Sequence, residues 1–182
     1  MKITKLKIPD VRVIEPETLG DKRGWFFESY NKRDLKEAGI DIIFTQDNHS
    51  FSAQKGTLRG MHIQKSPHTQ SKLIRCTRGK ILDVVVDLRQ NSPTYLKWVS
   101  SELSAKNKKQ LFAPQGFAHG FLTLEPNTEV QYKVDKYYSK TCDLSIRFDD
   151  PQINITWPIE NPVLSNKDKS APYLKDLNLN FK

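Results

Sequence analysis

Residues 56–89 read Gly-Thr-Leu-Arg-Gly-Met-His-Ile-Gln, then Lys-Ser-Pro-His-Thr-Gln, then Ser-Lys-Leu-Ile-Arg-Cys-Thr-Arg-Gly-Lys-Ile-Leu-Asp-Val-Val-Val-Asp-Leu-Arg. Three strand-like runs are separated by turn residues. They carry Arg59, His62, Lys72, Asp83 and Asp87. Successive side chains of a strand point to opposite faces, so His62 and Gln64 share one face and Met61 and Ile63 the other. If the Met61 face is core, His62 looks into a lined cavity or out to solvent. The alternation does not choose between the two.

The same rhythm extends outward. Strands are expected over residues 11–15, 25–30, 42–45, 57–64, 72–77, 80–88, 95–103, 110–113, 117–124, 129–138 and 145–148. Turn signals fall roughly every 8 to 12 residues, which favours an antiparallel sandwich or barrel over βαβ units. One helix is expected over residues 32–38, with Asn31 as N-cap and Gly39 closing it. After Asp149 the pattern loosens: Pro151, Pro158, Pro162 and Pro172 exclude long central strands. This segment reads as an irregular tail packed over the body of the domain.

The chain has 182 residues, enough for one domain with a real core. No apolar run approaches the roughly 18 residues that span a bilayer, and the first residues lack the apolar centre of a signal peptide. A cytoplasmic protein with no membrane contact is the expectation. Cys76 and Cys142 lie far apart without metal-type spacing and read as two free thiols. The net charge of +8 is scattered, with clusters at Lys106, Lys108 and Lys109 and at Lys167 and Lys169. No nucleic-acid-binding signature accompanies it. A solvated basic surface or an anionic small-molecule partner accounts for it.

Several residues have the chemistry of a site. His62 is of the residue type that most often serves as a general base. The four histidines, His49, His62, His68 and His119, invite a metal. But the position that would complete a His-x-His pair with His62 is Gln64, so no metal site is expected. His119 lies between two glycines in Pro-Gln-Gly-Phe-Ala-His-Gly-Phe, residues 114–121. It is either a buried histidine of a hairpin or a residue at a cavity mouth. Tyr132, Val134 and Tyr138 share a face of an expected strand. Tyrosine there is core filler, a general acid, or a stacking partner. Arg23, Arg59, Lys72 and Lys167 occupy turns or strand starts, where arginine suits phosphate and the bland role is solubility.

Taken together the motifs resemble the dTDP-4-dehydrorhamnose 3,5-epimerase family. They are Asp-Lys-Arg-Gly-Trp-Phe-Phe-Glu at 21–28, Gln-Asp-Asn-His-Ser at 46–50, Leu-Arg-Gly-Met-His-Ile-Gln at 58–64 and Gln-Ser-Lys-Leu-Ile-Arg at 70–75. Asp-Val-Val-Val-Asp-Leu-Arg at 83–89, Ser-Pro-Thr-Tyr at 92–95, residues 114–121, Gln-Tyr-Lys at 131–133 and Leu-Ser-Asn-Lys-Asp at 164–168 complete the set. The resemblance implies an all-β fold: a cupin-type β jelly-roll barrel with a short N-terminal helix and an irregular C-terminal tail. It implies cofactor-independent, metal-free epimerisation of a dTDP-linked 4-keto-6-deoxyhexose by a homodimer with a shared active site. His62 would be the base, Asp168 its partner, Tyr132 the acid on the opposite face and Lys72 the stabiliser of the enolate oxygen. Arg59 would hold the diphosphate, with Arg23 and Glu28 reaching over from the second copy. Gln46, Asn48, His119, Asp143 and Lys167 match substrate-binding positions, and Trp25 and Tyr138 match aromatic positions near the thymine. Asp143 departs from the pattern, standing where the family usually has glutamate. Two rivals share the motifs: an epimerase acting at C3 or C5 alone, and a non-catalytic cupin that binds a sugar nucleotide or a metal.

Overall fold

The alternation of residues 56–89 becomes three antiparallel strands divided between two sheets. The computed structural model describes residues 1–179 and 181. In chain order its elements are β1 (Lys2–Lys5), β2 (Arg12–Glu15), β3 (Leu19–Asp21), β4 (Gly24–Phe26), α1 (Lys32–Glu37), β5 (Gln46–Ser52), β6 (Leu58–Gln64) and β7 (Lys72–Arg78). They continue with β8 (Lys80–Asp87), β9 (Trp98–Ser104), β10 (Gln110–Ala113), β11 (Phe117–Thr123), β12 (Thr128–Val134), β13 (Asp143–Ser145) and α2 (Asn166–Lys169). One sheet has the order β1-β2-β10-β7-β12-β5 and the other β13-β6-β11-β8-β9, with β3-β4 as a separate hairpin. The result is the cupin-like jelly roll.

Three apolar clusters follow from period-two alternation. Between the sheets, Ile74, Leu111 and Val130 of the six-stranded sheet meet Ile81, Val85, Phe117 and Phe121 of the five-stranded one. The opposite face of the five-stranded sheet presents Met61, Ile63, Val84, Val86 and Ala118. It is covered by Ile146, Ile153, Ile155, Leu174, Leu179 and Phe181 from the tail. Strands β6, β8 and β11 are thus buried on both faces, and each large apolar side chain removed from water there contributes roughly 1.5–3 kcal/mol. On the outer face of the six-stranded sheet, Leu35 of α1 and Ile40 pack on Ile14, Leu73 and Phe112. Asn31 caps α1 as expected, its side chain accepting from the amides of Arg33 and Asp34, and Gly39 follows the helix at a φ of +79°.

Strands β6 and β11 approach unusually closely. A Cβ on Gly60, whose φ is +133°, would lie 2.5 Å from the Cα of Gly120. Only glycine fits both the dihedral and the approach. This contact sets His62 opposite His119 in the ladder.

Several strand expectations need correction. Residues 42–45 form no ladder, because Ile42 and Phe44 pack beside α1 instead, and the strand starts at Gln46. Strand β9 starts at Trp98 rather than residue 95, since Leu96 turns the chain at a φ of +60°. The aromatic run 25–30 is strand only to Phe26. Strand β12 ends at Val134, where Asp135 accepts from the Ser71 amide at 2.7 Å, so Tyr138 does not share its face. The expected strand 145–148 lies at Asp143–Ser145. The alternation also hid β1 and the short helix α2 of the tail.

Asp87, fully buried at the end of β8, ties down the next turn. It accepts from Arg89 Nε at 2.9 Å and Nη2 at 2.7 Å, and from the hydroxyls of Ser92 and Thr94, both at 2.6 Å. Burial alone would raise this carboxyl; the bonds from Arg89, Ser92 and Thr94 overcome it and hold it at about 2. A depressed folded pKa gives stability that is full above the ordinary value of 3.8 and is lost as pH falls through about 2. Urea melts should therefore show Asp87→Asn losing less stability than wild type over that window. At neutral pH, Asp87→Ala should cost roughly 3 kcal/mol, as for a broken buried pair.

Candidate functional site

A cavity of about 430 Å³ opens between the two sheets, lined by Gln46, Asn48, His62, Gln64, Lys72, Tyr132, Tyr138, Asp143 and Lys167 among others. Because Met61 and Ile63 face the tail, β6 turns His62 into this space, which answers the question the alternation left open. Gln64 is committed to the scaffold: its amide donates to the His68 carbonyl at 2.9 Å and accepts from the Ser139 amide at 2.7 Å.

The tail supplies a partner for His62. Ser165 caps α2, accepting from the Asp168 amide at 3.1 Å and donating its hydroxyl to Asp168 Oδ2 at 2.8 Å. The other oxygen, Oδ1, lies 2.6 Å from His62 Nε2. The His62 side chain is 31% exposed and that of Asp168 4%. Burial works to raise the Asp168 carboxyl, but the hydrogen bond and charge of His62 prevail and hold it below the usual carboxylate range. An ionised aspartate on one ring nitrogen fixes the tautomer and leaves the other nitrogen to act.

Across the cavity, β12 presents Tyr132 and β7 presents Lys72, both from the six-stranded sheet, whereas His62 belongs to the five-stranded one. Burial raises the Tyr132 phenol, so it keeps its proton at neutral pH. Burial pushes the Lys72 ammonium down to about 8, against the fields of Asp83 and Asp143. An imidazole on one wall thus faces a phenol and an ammonium on the other.

The mouth is polar. Lys167 donates to Asp143 Oδ2, and the Tyr138 hydroxyl bonds the same oxygen at 3.1 Å. Gln46 donates to Asn48 at 2.8 Å and accepts from the Tyr138 amide at 3.3 Å. Arg59 leans toward β5, bonding the Ser52 hydroxyl at 3.1 Å and the Phe51 carbonyl at 2.9 Å.

His119, opposite His62 in the ladder, is 6% exposed; its Nε2 lies 2.9 Å from Asp83 Oδ2, and burial lowers its pKa. Arg23, Trp25 and Glu28 do not line the cavity of their own chain. Arg23 pairs with Asp21 on the β3-β4 hairpin, Glu28 accepts from Asn31 at 3.2 Å, and Trp25 is 62% exposed beneath the Lys108 ammonium. Sequence reasoning gave no role to Ser165 or Asp83. The signals were present: Ser165 precedes Asp168 at N-cap spacing, and Asp83 alternates with Ile81 and Val85.

The family model for dTDP-4-dehydrorhamnose 3,5-epimerase matches residues 5–176. An enzyme of that name from Shigella flexneri is 50% identical over 169 residues, covering 92% of this chain and 93% of the relative. The crystal structure of dTDP-4-dehydrorhamnose 3,5-epimerase from Bacillus anthracis with TDP and PPi bound superposes with a TM-score of 0.93 at 48% identity, over 95% of this chain and 99% of that one. The Legionella pneumophila dTDP-6-deoxy-D-glucose-3,5-epimerase in complex with dTDP-4-keto-L-rhamnose superposes with a TM-score of 0.94 at 42% identity, over 100% and 98%.

The buried ammonium is directly observable. With ¹³Cε-labelled lysine, one resonance, absent in Lys72→Arg, should titrate with a midpoint near 8. All lysines titrating together near 10.4 would refute it.

Proposed function

The chain belongs to the dTDP-4-dehydrorhamnose 3,5-epimerase family, and on that premise we propose how its cavity divides the work of epimerisation. The reaction inverts C3 and C5 of dTDP-4-dehydro-6-deoxy-D-glucose to give dTDP-4-dehydro-L-rhamnose. The C4 ketone acidifies the hydrogens on both neighbouring carbons. His62 removes each proton in turn, and Asp168 stabilises the imidazolium that forms. The negative charge moves to O4, where the Lys72 ammonium meets it; such a contact lowers a transition state by several kcal/mol. Tyr132 returns a proton from the other side of the ring, so the centre inverts. The deprotonated phenol and the protonated imidazole are then reset through solvent. In this scheme His62 and Tyr132 exchange protons directly with the sugar, and no cofactor or metal takes part.

The observation that carries the reading is the opposition of walls: His62 with Asp168 on one sheet, Tyr132 and Lys72 on the other. Inversion needs a base and an acid on opposite faces of one carbon, and two residues on one strand would not provide them. Gln46, Asn48, Arg59, His119, Tyr138, Asp143 and Lys167 bind the sugar nucleotide, with Arg59 on the diphosphate. We extend the proposal to a homodimer. Leu19, Trp25 and Phe26 are 61%, 62% and 65% exposed on the β3-β4 hairpin, an apolar arm that the described residues leave largely uncovered. A second copy would bury that arm and bring its own Arg23, Trp25 and Glu28 to the cavity mouth. The proposal also takes residues 1–182 as one domain acting in the cytoplasm, the compartment that suits two free thiols.

Proton NMR in D₂O with dTDP-4-keto-6-deoxy-D-glucose tests the chemistry. Wild type should introduce deuterium at C3 and C5, and His62→Ala should slow both exchanges by about 10²–10⁴-fold, the usual contribution of a general base. Tyr132→Phe should exchange without completing both inversions. Exchange at one carbon only would turn the reading to a mono-epimerase. Light scattering at micromolar concentration should give a dimer, and Trp25→Asp should shift it toward monomer; a monomeric wild type would remove the shared site.

A further inference from the structure

Asp83 has no part in the scheme above, yet its side chain bonds His119 and its charge acts on Lys72. On β8 it falls between Ile81 and Val85, both in the core between the sheets, and it is 0% exposed. One oxygen, Oδ2, lies 2.9 Å from His119 Nε2. The other, Oδ1, is buried without a hydrogen-bond partner among the described residues. A fully buried carboxylate with an orphan oxygen is costly, and its presence calls for an explanation. Lys72 is the complementary group. Its side chain is buried yet lines the cavity, and among the described residues it makes no ion pair within 4.0 Å.

We propose that Asp83 is a positioning residue for the epimerisation: it fixes His119 through Nε2, and its free oxygen supplies the counter-charge that keeps Lys72 an ammonium. The inference rests on the reading of Lys72 as the cation at the enolate oxygen. A neutral amine would offer that oxygen no charge. Among the groups that face Lys72, Asp83 exerts the largest favourable field; Asp143 on β13 adds to it and Lys167 on α2 opposes it. His119 on β11, His62 on β6 and Tyr132 on β12 complete the surroundings, and neither histidine nor the phenol is anionic at neutral pH in this scheme. Asp143 is already paired with Lys167 at the mouth. Asp83 is therefore the buried anion without a competing cation. Its hold on Nε2 also leaves Nδ1 of His119 as the acceptor for a sugar hydroxyl.

Asp83→Asn, nearly isosteric, isolates the charge. The alkaline limb of its kcat/KM profile, which reports the free enzyme, should move down from about 8, because a charge that favours the ammonium is removed. The loss of kcat relative to wild type should be smaller at pH 6 than at pH 8, and dTDP affinity by calorimetry should stay within about twofold. Without substrate, the ¹³Cε midpoint of Lys72 should fall in parallel. An activity loss with an unmoved limb and an unmoved midpoint would show a purely structural role and overturn the proposal. Wild-type protein that exchanges no deuterium would sink the reaction reading instead, while the titration still reports the link from Asp83 to Lys72. If Asp83→Asn does not fold, Asp83→Ser, which leaves room for a water beside His119, is read in the same way.

Discussion

The 2.6 Å contact between Asp168 and His62 joins the last quarter of the chain to its middle. It forms because the outer face of the five-stranded sheet is apolar. Met61, Ile63, Val84 and Val86 cannot face water, so the tail lies over them with Ile146, Ile153, Ile155 and Leu174. Hydrophobic burial thereby anchors both ends of α2, and Ser165 aims the carboxylate. The prolines that prevent a strand in this segment suit it to that path, since a covering chain needs no ladder. Tail packing and the geometry of the His62–Asp168 pair are one constraint.

Burial then sets the electrostatics. The same removal of water raises the Tyr132 phenol and lowers the Lys72 ammonium. One residue becomes a firmer holder of its proton and the other a cation near its switching point. Asp168 is the exception, because a direct partner outweighs its desolvation. In a space of low dielectric these few charges act on one another more strongly than they would in solvent. Opposed sheets place them on both sides of one cavity. A jelly roll supplies two such walls, and side chains at alternate positions of each reach the space between them.

The turn after β8 shows the other use of buried charge. Asp87 and Arg89 form a closed set with Ser92, Thr94 and Asp10, each donor matched to an acceptor. Four residues earlier on the same face, Asp83 is left one partner short. Two aspartates of one strand thus divide into a structural clamp and a group held against His119 with one oxygen unsatisfied.

By itself the sequence determined the class of fold, the helix with its Asn31 cap, and the strands at 110–113 and around His62, because alternation and turn residues are local properties. Motif spacing likewise identified the family, and with it His62, Lys72, Tyr132 and several others that line the cavity, but not a place there for Arg23, Trp25 or Glu28. Local pattern failed where long-range contacts overrode it. Residues 42–45 look like a strand but pack on α1, and Tyr138 leaves β12 once Asp135 closes the ladder. Only the tertiary structure decided that His62 points into a cavity and that His119 is buried against Asp83. Each depends on which side of a strand meets another part of the chain, and period-two alternation is symmetric with respect to that choice. The pairing of Asp168 with His62, which the family resemblance implied, spans 106 residues and passes through a tail with no regular pattern, so no local periodicity encodes it.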